Sequence, residues 1–259
     1  MQPLFSLITP AYNCKSKLEG TLKSILEQDF GDFEYLIIDG NSQDGSREWF
    51  KEIKDPRVRA YSEPDKGIYD AMNKGVRLAR GRFLYFLGAG DALLPGVLRQ
   101  VSQYLPKGDI AMIYGDVSWE GRIYDGEFSK LKLCYSNICH QAIFYGKDVF
   151  KIAGDYNLKY RLLADWAFNM RCFGKRQIIK KYIPVTVSFY EANGASSKGD
   201  PVFTEDRKSL IWNDLGKIVY LRLEMPQWRA RLTGSVRKTL RPLIPKLMLR
   251  AWRKIRGHS

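Results

Sequence analysis

Three aspartates, Asp39, Asp65 and Asp91, each close a polar segment that follows a short apolar run, in the strings YLIID, RAYSEPD and FLYFLGAGD. Separated carboxylates of this kind suit a hard divalent cation and the polar edge of a nucleotide, with the metal neutralising phosphate charge. Other chemistries lack their signatures. No G-x-G-x-x-G follows the first apolar run, which argues against a dinucleotide site, and no G-x-x-x-x-G-K-[ST] is present for a P-loop. No G-x-S-x-G elbow marks a serine hydrolase. Cys14, Cys134, Cys139 and Cys172 form no C-x-x-C pair, and His140 and His258 are the only histidines, so a Cys/His zinc site is not expected.

The elements that must position these aspartates follow from periodicity. Leu4 to Thr9 reads as a buried strand ending at Pro10, and Lys17 to Gln28 as a helix with Leu18, Leu22, Ile25 and Leu26 at helical spacing. Tyr35 to Ile38 is a second strand, closed by the loop from Asp39 to Ser46. A helix over Arg47 to Ile53, a strand over Val58 to Tyr61, a helix over Ile68 to Ala79 and a strand over Phe83 to Leu87 complete the pattern. This alternation predicts an α/β fold, a mostly parallel sheet with helices on both faces. Ligands of such sheets bind beyond the carboxyl ends of the strands. The segments 9–13, 39–41, 63–65 and 88–91 should therefore gather at one rim.

Beyond Asp91 the pattern loosens. Leu98 to Leu105 and Leu162 to Cys172 read as helices, the latter with Asp165 near its start. Ile110 to Tyr114, Gly121 to Tyr124 and Ile178 to Phe189 read as strands. Glu191 to Asp200 is a polar Gly/Ser loop, a candidate closure over the site. Three parts are expected: two halves of one domain over 1–91 and 92–200, and a helical basic tail over 201–259.

At 259 residues, 45% hydrophobic with 22 Gly and 11 Pro, the chain can bury a sizeable core, which excludes a disordered or collagen-like protein. Its formal charge is +14, yet ten of the basic residues and no acidic ones follow Glu224. The body carries only about +4. No secretion signal or long apolar run is visible, so a cytoplasmic setting is the default expectation.

Five strings in collinear order, LFSLITPAYN, EYLIIDGNSQDGS, SEPDKGIYDAMNKG, FLYFLGAGD and HQAIFYGKDVFKIAGDYNLKYRLLADWAF, resemble the family 2 inverting glycosyltransferases of the GT-A fold. The resemblance covers about residues 4 to 190 and implies a nucleotide-sugar donor, more often UDP-linked, with 1–91 as the donor-binding half and 92–200 as the acceptor-binding, catalytic half. It makes Thr9, Pro10, Tyr12 and Asn13 the nucleotide-cradling turn, Asp39 the acceptor for a nucleobase N–H, and Asp65 a second nucleotide-side aspartate. Asp65 equally suits a cap for the helix beginning near Gly67. Lys66 is a candidate for the diphosphate, and Asp70 with Lys74 for a surface pair. Asp91 is similar to the last aspartate of the family's D-x-D-like motif for Mg²⁺ or Mn²⁺, although Gly88, Ala89 and Gly90 stand where other members often carry further carboxylates.

Asp165 is similar to the catalytic base, which takes the acceptor hydroxyl proton as that oxygen displaces the diphosphate. His140 and Gln141 resemble an acceptor-side pair, with a core histidine as the alternative. Trp166 is a candidate platform for a sugar ring or a core aromatic. Gln227-Trp228-Arg229 does not match the Q-x-x-R-W of processive synthases, which favours transfer of one sugar to a lipid-linked or saccharide acceptor in cell-surface polysaccharide assembly.

In the tail, Trp228, Leu232, Val236 and Leu240 share one helical row, and Pro242 and Pro245 divide the segment. A basic amphipathic tail over 226–259 suits an anionic membrane surface, which would hold the protein peripherally at the inner face of the cell membrane. Packing on the body or at a dimer contact is the alternative, and nucleic acid is not the expected partner. Two other readings of the chain stay open: a nucleotidyltransferase on a related sheet, and a binding protein with a degenerate donor fold.

Overall fold

The computed structural model describes residues 2–119, 121–124, 126–190 and 199–231. In chain order these form β1 (Phe5–Ala11), α1 (Lys15–Leu26), β2 (Phe33–Asp39), α2 (Ser46–Phe50), β3 (Val58–Ser62), α3 (Ile68–Leu78) and β4 (Phe83–Phe86). There follow β5 (Ala92–Leu93), α4 (Val97–Ser102), β6 (Ala111–Trp119), β7 (Arg122–Tyr124), α5 (Lys130–Leu133), a 3₁₀ turn at His140–Ala142, β8 (Ile143–Gly146) and α6 (Lys147–Ala153). The remaining elements are α7 (Ala164–Gly174), β9 (Ile179–Tyr190), α8 (Pro201–Leu210), a π-helical turn at Ile211–Leu215 and α9 (Lys217–Arg231).

The strands form one sheet in the order β3-β2-β1-β4-β8-β6-β9-β5, with β7 beside β6. β1 to β4 pair in parallel, as the βαβ alternation requires. β8 then runs antiparallel to both β4 and β6, which joins the parallel half to the second half. Every residue of β1 and β2 is buried, because helices cover both faces. On one face Phe5, Leu7, Tyr35, Ile37 and Phe83 pack with Leu18 and Ile25 of α1 and Leu98 and Val101 of α4. On the other, an aromatic cluster of Phe86, Tyr145, Phe150, Tyr156 and Phe168 joins β4 and β8 to α6 and α7. Each such ring buried contributes about 1.5–3 kcal/mol.

The chain divides into two compact units, 1–216 and 217–259. Residues 201–216, expected in the tail, belong to the first, where Phe203, Ile211 and Leu215 are buried. Within the second, α9 is the described element. Residues 232–259 lie outside the described residues, as do the side chains of 225–231, so most of the amphipathic pattern read in the tail falls outside them. The same holds for 191–198 of the expected closing loop. Its last residue, Asp200, instead caps α8, its Oδ1 accepting from the Phe203 N–H at 3.2 Å. No helix among the described residues is long and apolar enough to cross a membrane.

Candidate active site

The ends of β1, β2, β3 and β4 open onto one cavity of about 1100 Å³, and segments 137–142 and 162–166 of the second half close its other end. Pro10, Tyr12, Asp65, Asp91, His140, Gln141, Asp165 and Trp166 all stand on its wall. The gathering of strand ends at one rim follows from the parallel pairing. In four neighbouring parallel strands, all carboxyl ends point the same way.

At the donor end, Tyr12 leaves 65% of its surface free, a ring face open to stacking. Gly40 lets it approach Asp65: a Cβ there would stand 2.7 Å from Asp65 Oδ2 and 3.2 Å from the Tyr12 ring. Asp65 Oδ1 accepts from the Gly67 N–H at 2.8 Å, so the carboxylate both braces the start of α3 and faces the cavity. Thr9, Asn13 and Asp39 lie behind this wall and not on it. Thr9 Oγ1 accepts from the Tyr35 hydroxyl at 2.9 Å. Asp39 is fully buried, its Oδ1 accepting from Ser42 Oγ at 2.5 Å and its Oδ2 from Ser62 Oγ at 2.6 Å and the Ser42 N–H at 3.0 Å. Its register between Ala11 and Ser62 encloses the carboxylate between two neighbouring strands. Ser42 Oγ in turn accepts from the Asn13 N–H at 2.8 Å, and Asn13 Oδ1 from the Gln43 N–H at 2.9 Å. Asn13 takes the left-handed conformation at φ 47°, which Asn tolerates better than most residues. Together these bonds zip the loop after β1 to the loop after β2.

Two lysines depart from expectation. Lys66 is exposed and off the wall, its N–H donating to Asp70 Oδ2 at 3.0 Å. Lys74 pairs not with Asp70 but with Glu63 at 3.0 Å, and its ammonium donates to the Pro64 carbonyl at 2.6 Å, because the returning β3 loop offers both acceptors. Sequence reasoning passed over Lys17, which stands on the cavity wall in the first turn of α1. A cation near a helix N-terminus opposes the helix dipole. An anionic ligand there would remove that conflict, and this is the signal by which the sequence could have singled it out.

Asp91 accepts through Oδ2 from Gln141 Nε2, and its backbone carbonyl accepts from Thr21 Oγ1 at 2.9 Å. A Cβ at Gly88 would come within 2.5 Å of the same Oδ2. Gln141 therefore reaches Asp91, where the resemblance had placed it with the acceptor. No group of three ligating side chains exists among the described residues. Gln141, whose Nε2 faces Asp91, has its Oε1 buried with no hydrogen-bond partner. One carboxylate and a spare oxygen fit a Mg²⁺ or Mn²⁺ ion that takes most of its ligands from water and donor phosphates.

Asp165 sits in the first turn of α7, where the helix dipole favours a negative charge, and only 5% of its surface is exposed. Its Oδ1 accepts from the Tyr69 hydroxyl and its Oδ2 from Asn137 Nδ2, both at 2.8 Å. His140 Nδ1 stands 3.9 Å from Oδ2. The Tyr69 oxygen also lies 2.8 Å from the Leu162 carbonyl, so its single proton stands between the two acceptors and ties α3 to the turn before α7. Burial and the charge of Asp165 push the Tyr69 phenol well above its ordinary range, so it stays a neutral donor. Trp166 is half-buried, its Nε1 donating to the Leu133 carbonyl at 2.8 Å and its ring stacked on Phe203 at 5.0 Å. It is both a packed aromatic and a fixed piece of wall. Asn137 and Tyr69 were not singled out from sequence, since nothing in their spacing relates them to Asp165.

The family model for glycosyl transferase family 2 matches residues 6–157. A PGL/p-HBAD biosynthesis glycosyltransferase of Mycobacterium bovis is 39% identical over 203 residues, covering 75% of this chain and 79% of the relative. An Escherichia coli UDP-Glc:alpha-D-GlcNAc-diphosphoundecaprenol beta-1,3-glucosyltransferase, WfgD, is 31% identical over 114 residues, covering 44% and 45%. Among solved structures, S. aureus TarS in complex with UDP-GlcNAc superposes with a TM-score of 0.63 at 17% identity over 80% of this chain and 64% of that one. A mannosyltransferase from Pyrobaculum calidifontis in complex with GDP-Man and Mn²⁺ does so with a TM-score of 0.60 at 15% identity over 99% and 85%. The fold matches those GT-A glycosyltransferases, and the chain belongs to glycosyl transferase family 2.

Proposed function

We propose that this glycosyltransferase is an inverting, non-processive enzyme that moves one sugar from a UDP-linked donor to a lipid-linked or saccharide acceptor in cell-surface polysaccharide assembly. The observation that carries this reading is the shared cavity: Tyr12, Asp65 and Asp91 line one end and Asp165 the other. Tyr12 stacks on the base, Asp65 receives polar hydrogens of the nucleoside, and Lys17 takes the role toward the diphosphate that Lys66 stands too far outside to fill. Thr9, Asn13 and Asp39 hold the rim that these residues share. A divalent ion bound at Asp91 would neutralise diphosphate charge as the leaving group departs.

Asp165 takes the proton of the acceptor hydroxyl. That oxygen forms its bond to the anomeric carbon from the face opposite the diphosphate, which leaves with the electron pair of the broken C–O bond. A single displacement of this kind inverts the anomeric centre. His140 and Trp166 border the acceptor beside Asp165. The basic stretch 226–259 would hold the enzyme at an anionic membrane surface on the cytoplasmic side, where a lipid-linked acceptor is within reach.

The test is transfer by the purified protein across a panel of UDP-sugars, with and without Mn²⁺, read by NMR of the new anomeric proton. Inverted product from wild type and none from Asp165→Asn is expected. Retention of configuration, or full activity in Asp165→Asn, would overturn the mechanism.

A further inference from the structure

Asp165 is the end of a hydrogen-bond chain whose remote members lie outside the cavity wall. The Tyr145 hydroxyl donates to Asn169 Oδ1 at 2.6 Å, Asn169 Nδ2 donates to Asn137 Oδ1 at 2.9 Å, and Asn137 Nδ2 donates to Asp165 Oδ2 at 2.8 Å. Asn169 and Tyr145 are fully buried, and neither lines the cavity. An amide has one donating and one accepting end, so each link dictates the orientation of the next. Turning either asparagine over would set oxygen against oxygen with no proton between them. The direction is fixed from the carboxylate end, where an acceptor-only group demands a donor. Burial pushes the Tyr145 phenol well above the ordinary range, so it stays a neutral hydroxyl able to donate to Asn169.

We infer that Asn169 and Tyr145 are positioning residues for glycosyl transfer, acting through Asn137 to hold Asp165 charged and aimed at the acceptor hydroxyl. The inference rests on the reading of Asp165 as the base. The chain supplies a donor to one carboxylate oxygen while Tyr69 supplies the other, so the carboxylate can swing only by breaking a bond at each end. The remaining lone pairs face the cavity. Four groups that titrate surround Asp165: Tyr69 from α3, His140 from the 3₁₀ turn, Tyr145 from β8 and Tyr156 from the segment before α7. His140, the one imidazole among them, is untouched by the variants below.

A donor lost from a charged group disfavours the charged form, so breaking the chain raises the pH at which Asp165 titrates. Asn169→Leu in the full chain removes both links at once. Carboxyl ¹³C NMR, with the Asp165 signal assigned by its absence in Asp165→Asn, should show that titration move up by about one pH unit. UDP affinity should stay within about twofold, because the donor end of the cavity is intact. Transfer at the acid side of the profile should fall about tenfold and recover as pH rises, which a loosened fold would not do. Tyr145→Phe keeps the ring packed against Phe150 and Phe168 and serves if Asn169→Leu does not fold; it should move the titration in the same direction by less. An Asp165 titration unmoved in the folded variants would overturn this inference alone. Full transfer by Asp165→Asn would instead overturn the base assignment on which it stands.

Discussion

The two ends of the cavity are held by different means. The end formed by β1 to β4 is outlined by four parallel strand ends, and behind it Asp39 and Ser42 bind loop N–H groups as well as serine hydroxyls. At the acceptor end the frame is side chain to side chain, with Asp165 fixed by Tyr69 and Asn137 and these in turn by Asn169 and Tyr145. A backbone frame tolerates the loss of one side chain because the sheet still aligns the loops. A side-chain frame concentrates its precision in few bonds, so single substitutions there should act sharply on catalysis and weakly on binding.

Four substitutions test that contrast. Asp165→Asn removes the base without changing its size, and transfer should drop by about 10³-fold while UDP binding by calorimetry stays near wild type. A parallel loss of UDP binding would mean that the two ends are not separable. Asp91→Ala should weaken Mn²⁺-dependent donor binding by about 10- to 100-fold and leave metal-free binding of UDP almost unchanged, as titrations with and without EDTA would reveal. Asp39→Ala strands two serine hydroxyls and a buried N–H, and should cost about 2 kcal/mol of stability in urea unfolding together with a moderate fall in UDP affinity. If affinity collapses while stability holds, Asp39 touches the nucleotide directly and the wall is thinner than its geometry implies. Lys17→Ala should lower affinity for UDP a few-fold but leave uridine affinity alone; equal effects on both would remove Lys17 from the diphosphate.

The donor half was legible in the sequence because periodicity and punctuation coincide there. The apolar runs at 4–9, 35–38 and 83–87 each end in a polar turn, and the helix over Ile68 to Ala79 is amphipathic, so strand ends and rim loops follow directly. The second half hid itself in short elements. β8 has four residues and α5 four, too few for a period to register, and β5 has two. Which rim residues face the ligand was also hidden. Asp39 and Asp65 look alike after their strands, yet register encloses the first between β1 and β3 while the second stands on the cavity wall. The partners of Asp165 were out of reach for a plainer reason. Tyr69 is 96 residues away and Asn137 is 28, and only the folded sheet brings α3 and α7 together.

The turn at Gly88 decides which way the Asp91 side chain leaves the backbone. The Asp91 carboxylate and Gln141 Nε2 both fill space that a β-carbon at 88 would claim, 2.5 Å and 3.2 Å from where it would stand. A side chain at 88 would therefore push the Asp91 carboxylate to another rotamer and loosen its hold on Gln141, so the smallness of residue 88 sets where the only carboxylate of this turn points.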